Sequence, residues 1–258
     1  MAILGVSPPR NLERVALAAS IGLLTGVAWL ALAFSDDWGH RVFHASAGHA
    51  HMHGHTAPVF PFLFVAGWLA MTVAMMLPTT LPVLSTLHAI ARRRDDRFLL
   101  IALVVAGYIA AWVVFGVLAW LAGGLLRWAA AAVPWLEWLS GSWRPALLLV
   151  AGAFQFSPLK YRCLEKCRSP LSFVIKHWQG RRHAWLALRL GIDNGAYCVG
   201  CCWALMLLMF ILGSASLLWM LALAVVMGIE KNVAWGRRLS APLGVVLLAW
   251  GAAWLLRG

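Results

Sequence analysis

The chain has 258 residues, 62% of them hydrophobic and 12% charged, with 16 Trp and a formal net charge of +12. That mix excludes an ordinary soluble domain. Several nearly uncharged windows reach the roughly 20 residues that a helix needs to cross a bilayer, and short alternating segments of the barrel kind are missing. Only helices and closed barrels satisfy every backbone polar group inside lipid, so the sequence predicts an all-α, polytopic transmembrane helical bundle.

About seven spans are expected in a single membrane domain over 1–258, or six if the first is a cleaved signal. The first, 15–34, has a basic start and an apolar run, and Ala31-Leu32-Ala33 before Phe34 also fits a signal cleavage site. The run is longer than a signal core of 7 to 15 residues, which favours a retained anchor. Residues 35–58 then form a polar segment with His40, His44, His49, His51, His53 and His55, six of the nine histidines. The last four alternate, so an extended strand would place them on one side. His40 and His44 are spaced for one helical turn, with Asp36 and Asp37 as possible oxygen donors. Imidazole suits Cu(II), Zn(II) and Ni(II), and short histidine-rich tracts are a compositional metal signal.

The second span, 60–77, carries Met71, Met75 and Met76 just before Pro78, and the third covers 98–121. Thioethers can ligate Cu(I), although methionine more often only fills gaps in a core. Residues 125–143, with Trp128, Trp135, Trp138 and Trp143, read as an outer interfacial loop of the aromatic-belt kind. The fourth span, 145–156, is too short to cross alone and is expected to be broken or packed on its neighbours. Residues 159–195 form a long basic segment with Cys163 and Cys167, within which 171–190 suits a cytoplasmic interfacial helix.

The fifth span, 196–215, opens on the stretch Asn194 to Met206 and holds Cys198, Cys201 and Cys202. Asp193 or Asn194 is a good N-cap, which would put Cys198 in the first turn, where the helix N-terminus favours a thiolate. Cys198 shares a helix face with Cys201 and Cys202, as Cys163 does with Cys167. Thiolates suit Cu(I) and also Zn(II), the latter wanting four donors in a tetrahedron. The alternative is that these cysteines are small packing residues, which burial alone does not reconcile with their clustering. The sixth span, 216–234, ends on Glu230, a functional candidate by its depth or an interfacial carboxylate beside a snorkelling Lys231. The seventh covers 241–256.

Charge sets the orientation. With the N-terminus in the cytoplasm, seventeen of the 21 Lys and Arg fall on the cytoplasmic side, as the positive-inside rule requires. The C-terminus and the histidine segment 35–58 then lie outside. The positive charge thus has a topological reason, and nucleic acid is not invoked. All five cysteines fall on or near the reducing side, which favours metal or redox chemistry over a disulfide framework.

Four ordered stretches, "MTVAMMLP" (71–78), "FQFSPLKYRCLEKCRSP" (154–170), "CVGCCWALM" (198–206) and "MGIEK" (227–231), resemble the bacterial family of predicted metal-binding integral membrane proteins. This is a domain of unknown function, sometimes labelled a copper chaperone. The resemblance runs from about Phe60 to Trp235 and implies metal binding through Met75, Met76, Cys163, Cys167, Cys198, Cys201, Cys202 and Glu230. The histidine segment lies outside the shared pattern.

The leading expectation is a multi-pass protein of the bacterial inner membrane that binds a transition metal, copper first and zinc next. It would relocate the metal between the external histidine segment and the cytoplasmic-side cysteines, with Asp193 and Glu230 as further ligands and a metal-donor or metal-acceptor protein as partner. One alternative is a membrane thiol oxidoreductase passing electrons between cysteine pairs and a quinone. Another is a metal-dependent membrane enzyme, or its assembly factor, with an open coordination position. The chain carries no phosphate-cradling glycine loop and no Ser-His-Asp set, so ATP-driven pumping and hydrolysis have no residues to carry them.

Overall fold

A computed structural model describes residues 10–34, 59–92, 94–132, 137–178, 182–209 and 217–256. The histidines at 40, 44, 49, 51, 53 and 55 lie outside these residues. Ten α-helices follow one another in the described chain: α1 (Arg10–Ala33), α2 (Val59–Met75), α3 (Leu81–Ala91), α4 (Arg97–Ala132), α5 (Glu137–Phe154), α6 (Pro158–Cys167), α7 (Pro170–His177), α8 (His183–Leu207), α9 (Leu217–Asn232) and α10 (Ser240–Leu255). Short 3-10 turns at Leu77–Thr80 and Gly236–Leu239 lead into α3 and α10.

Four stretches, Glu13–Ala33, Arg97–Leu126, His183–Leu207 and Gly236–Leu255, are long and apolar enough to cross a membrane. A fifth crossing is available only if Phe64–Met75 and Leu77–Ala91, bent by 51° at Met76, count as one broken span. Seven spans are therefore not shown. The apolar part of α5, Arg144–Phe154, is indeed too short to cross. Large apolar side chains such as Leu23, Leu118 and Val245 stay exposed on α1, α4 and α10, as lipid-facing positions do.

Three further expectations are corrected. Residues 125–132 continue α4 and 137–143 belong to α5, so most of the proposed tryptophan-rich loop is helical. The supposed interfacial helix at 171–190 is split: α7 stops at His177, and the chain restarts at His183 as α8. Asp193 and Asn194 thus lie inside a 25-residue helix and cap nothing.

The central pair is α4 with α8, and glycine lets their backbones touch. A Cβ on Gly191 would fall 2.1 Å from the Val104 carbonyl oxygen, and one on Gly107 would fall 2.4 Å from that of Leu188. Small residues at such crossings are how membrane helices approach closely. Farther along, Gly195 meets Tyr108 and Ala111, so the two helices run parallel with their N-termini at one end. At that same end Glu13 of α1 gathers His88 (3.2 Å), Arg97 (3.4 Å) and Arg92 (3.5 Å). The start of α1, the end of α3 and the start of α4 are thereby pinned together. Toward the other end, Trp68 of α2 stacks among Phe64, Trp112 and Phe115, and its indole N–H donates to the Trp112 carbonyl at 2.8 Å.

Candidate metal centre

The three cysteines of α8 lie in mid-helix. Cys198 is fifteen residues past His183, about 22 Å along the axis at the helical rise of about 1.5 Å per residue. Cys198, Cys201 and Cys202 are each 2% exposed or less. Cys198 and Cys202, four apart, face Met76, while Cys201, three residues from Cys198, stays within reach of both and also meets Cys167. The thiols of Cys201 and Cys202 donate back to the Cys198 carbonyl at 3.1 and 2.9 Å.

The partner of Cys198 and Cys202 is the break in the bent pair. Pro78 has no N–H and Pro82 follows closely, so the chain leaves the α-helix after Met75 and resumes at Leu81 through a 3-10 turn. Met76 sits at the break, fully buried, with its Sδ 3.7 Å from Cys202 Sγ and 4.0 Å from Cys198 Sγ. Its carbonyl, freed by the break, accepts from the Thr79 hydroxyl (2.7 Å) and the Tyr108 hydroxyl (3.1 Å). Broken helices of this kind place ligand groups at membrane depth, where irregular backbone is tolerated only if it is enclosed by protein.

Lys231 enters this group from α9. Its Nζ is 2.8 Å from Cys198 Sγ, 3.4 Å from Met76 Sδ and 3.7 Å from Cys202 Sγ, and only 6% of the residue is exposed. The Tyr108 hydroxyl stands 3.0 Å from Cys198 Sγ. Lys231 and Tyr108 were not among the site residues read from the sequence. The available signal was the charged pair Glu230-Lys231 in an apolar helix, of which only the carboxylate was followed.

Cys201 faces α6. Its thiol pairs with that of Cys167, and a Cβ on Gly200 would fall 2.6 Å from Cys163 Sγ, so α6 packs tightly here and a larger residue would have to displace that thiol. Burial pushes the Cys163 thiol above its ordinary pKa. The hydrogen bond to Cys201, and then burial, push that of Cys167 well up. The two cysteines of the basic segment thus fold back onto α8, beside Cys201.

The expected carboxylate ligands are held elsewhere. Glu230 receives Lys160 at 2.8 and 2.9 Å and the Ser240 hydroxyl at 2.7 Å, in a buried network that Gln155 joins through Lys160. Arg168 donates to the carbonyls of Glu230 and Ala234 at 2.6 and 2.7 Å, closing the end of α9. Asp193 accepts from His177 at 2.9 Å, with Arg189 at 3.8 Å, and so ties α7 to α8. Met75 is buried in the core.

The donor set fits a soft ion of low coordination number. Three sulfurs about 2.3 Å from a shared ion, the usual metal–thiolate length, stand about 4 Å apart in a trigonal plane. The separations of 3.7 and 4.0 Å from Met76 are of that size. Among the described residues no three His, Cys, Asp or Glu side chains converge to hold a metal, so a tetrahedral zinc shell is not assembled there. With the Met76 thioether, two thiols suffice for Cu(I).

A sequence model described as a copper chaperone family, PpoB2, matches residues 65–254. The chain belongs to that copper chaperone family. The match takes in every helix of the sulfur cluster and begins after the histidine segment 35–58. Comparison with curated proteins and with solved structures gives no match.

Proposed function

We propose that the protein is a copper-handling component of the bacterial inner membrane, with its N-terminus in the cytoplasm, and that it holds Cu(I) between Cys198, Cys202 and Met76. The observation that carries this reading is the meeting of two mid-helix thiols on α8 with a thioether at the break after α2, all buried. Membership of a copper chaperone family supports the choice of metal. Cys201, Cys167 and Cys163 form a second group of sulfurs beside the first and offer the ion a way off toward α6. The histidine segment 35–58 collects the metal outside, and a donor or acceptor protein exchanges it. Bound copper is cargo here, and no catalytic step is assigned. A thiol oxidoreductase acting on other proteins needs an accessible cysteine, and the burial of Cys198, Cys201 and Cys202 disfavours it.

Metal analysis of detergent-purified protein after a mild chelator wash tests this. The native chain retains about one copper per chain, and the Cys198→Ser/Cys202→Ser form loses most of it. Equal retention by the two forms contradicts the assignment.

A further inference from the structure

The copper reading leaves one feature of the site unused, the ammonium among its sulfurs. The groups that face Lys231 are Met76 and Thr79 from the broken segment and Cys198 and Cys202 from α8, with the Cys201 thiol, engaged by Cys167, also near enough to act on its charge. Tyr108 of α4 adds a neutral hydroxyl against Cys198. The adjacent Glu230 is held by Lys160 and Ser240 and points into a different network. Among the described residues no carboxylate lies within ion-pair distance of Lys231. A buried ammonium is costly unless an opposite charge stands against it, and here that charge can come only from cysteine sulfur.

We propose that Lys231 sets the charge of the ion the site accepts, making it selective for a soft monovalent ion over a soft divalent one; this rests on the copper reading above. Cysteines bound to a metal are thiolates. Two thiolates and one ammonium leave a single negative charge, which one monovalent ion neutralises. A divalent ion leaves a positive charge stranded in a buried site, where solvation is poor. Take the ammonium away and the balance reverses: the monovalent complex becomes an anion and the divalent complex becomes neutral. The lysine is therefore a specificity residue that does not itself bind the ion.

The test titrates full-length protein in detergent, under reducing conditions, with Ag(I) and separately with Cd(II). Both are read by competition against a chromophoric chelator and by thiolate-to-metal charge-transfer absorbance. The intrinsic preference of thiolates for Ag(I) is common to all forms, so the quantity compared is the ratio of the two affinities. Lys231→Met, which keeps the length of the side chain, lowers the Ag(I)-to-Cd(II) ratio at least tenfold. Lys231→Met/Cys202→Ser removes one thiolate as well, restores neutrality with one monovalent ion, and recovers the ratio toward that of the native chain. A ratio unchanged in Lys231→Met overturns the proposal, as does a double variant no better than the single one. Should Lys231→Met fail to fold, the double variant decides by itself: a native-like ratio supports charge matching, and a lowered one contradicts it. Failure of the native chain to bind Ag(I) would instead remove the copper reading on which the proposal rests.

Discussion

Glu230 and Lys231 are neighbours in sequence and serve opposite purposes. A helix turns about 100° per residue, so consecutive side chains on α9 face different partners. Glu230 completes a buried ion pair with Lys160, and Lys231 reaches the sulfurs. Removing one member of a buried pair leaves the other charge unsatisfied, at a cost of about 3–5 kcal/mol. Glu230→Ala is therefore expected to unfold far more easily in detergent, and Glu230→Ala/Lys160→Met to regain much of the loss. If Glu230 were instead a metal ligand, the double variant would recover stability without recovering copper; the account predicts that it recovers both. The cysteines stood out in the sequence because they cluster, whereas Met76 stood in a run with Met71 and Met75 that core packing explains as readily. The role of Lys231 was not legible there, because a lysine at the end of an apolar run looks the same whether it snorkels to water or turns inward.

The elements show where local rules gave way to packing. Asp193 and Asn194 prefer helix caps, yet α8 runs straight through them from His183. Asp193 finds its partners in His177 and Arg189, and Gly191 and Gly195 give the helix a flat face on α4 that begins well before the cysteines. Neither fact is local, so a cap-based reading placed the helix start eleven or twelve residues late and the thiols at its mouth. The break at Met76, in contrast, is written in the sequence by Pro78 and Pro82. The α4–α8 contact makes a sharp prediction. Gly191→Ala drives a methyl group into the Val104 carbonyl, where backbone and not a flexible side chain must yield. Overpacking of this kind costs about 1–3 kcal/mol, to be seen as a lower thermal midpoint in detergent. Gly22→Ala on α1, where an added Cβ meets nothing within 4 Å, serves as the silent control.

At the scale of the whole molecule, the fold carries a sulfur site into the interior of a helical bundle. Glu13 ties three helix ends together on one side, and the Trp68–Trp112–Phe115 cluster fills the space on the other. The all-helical class followed from composition together with the long uncharged windows and the missing alternating segments, and four helices of the described chain are long and apolar enough to cross a membrane. The number of crossings did not follow, because among the described residues the apolar windows fold into shorter pieces than expected: α2 and α3 bend by 51° at Met76, and the apolar part of α5 is only Arg144–Phe154. The central claim is that copper sits among Cys198, Cys202 and Met76. X-ray absorption at the copper edge, on full-length protein loaded with one equivalent of Cu(I), tests it most directly. The account predicts a first shell of two to three sulfurs, at about the 2.3 Å of other metal–thiolate bonds, that is lost in Cys198→Ser/Cys202→Ser. A shell of nitrogen and oxygen in the native chain, or a sulfur shell that survives the double substitution, would contradict it.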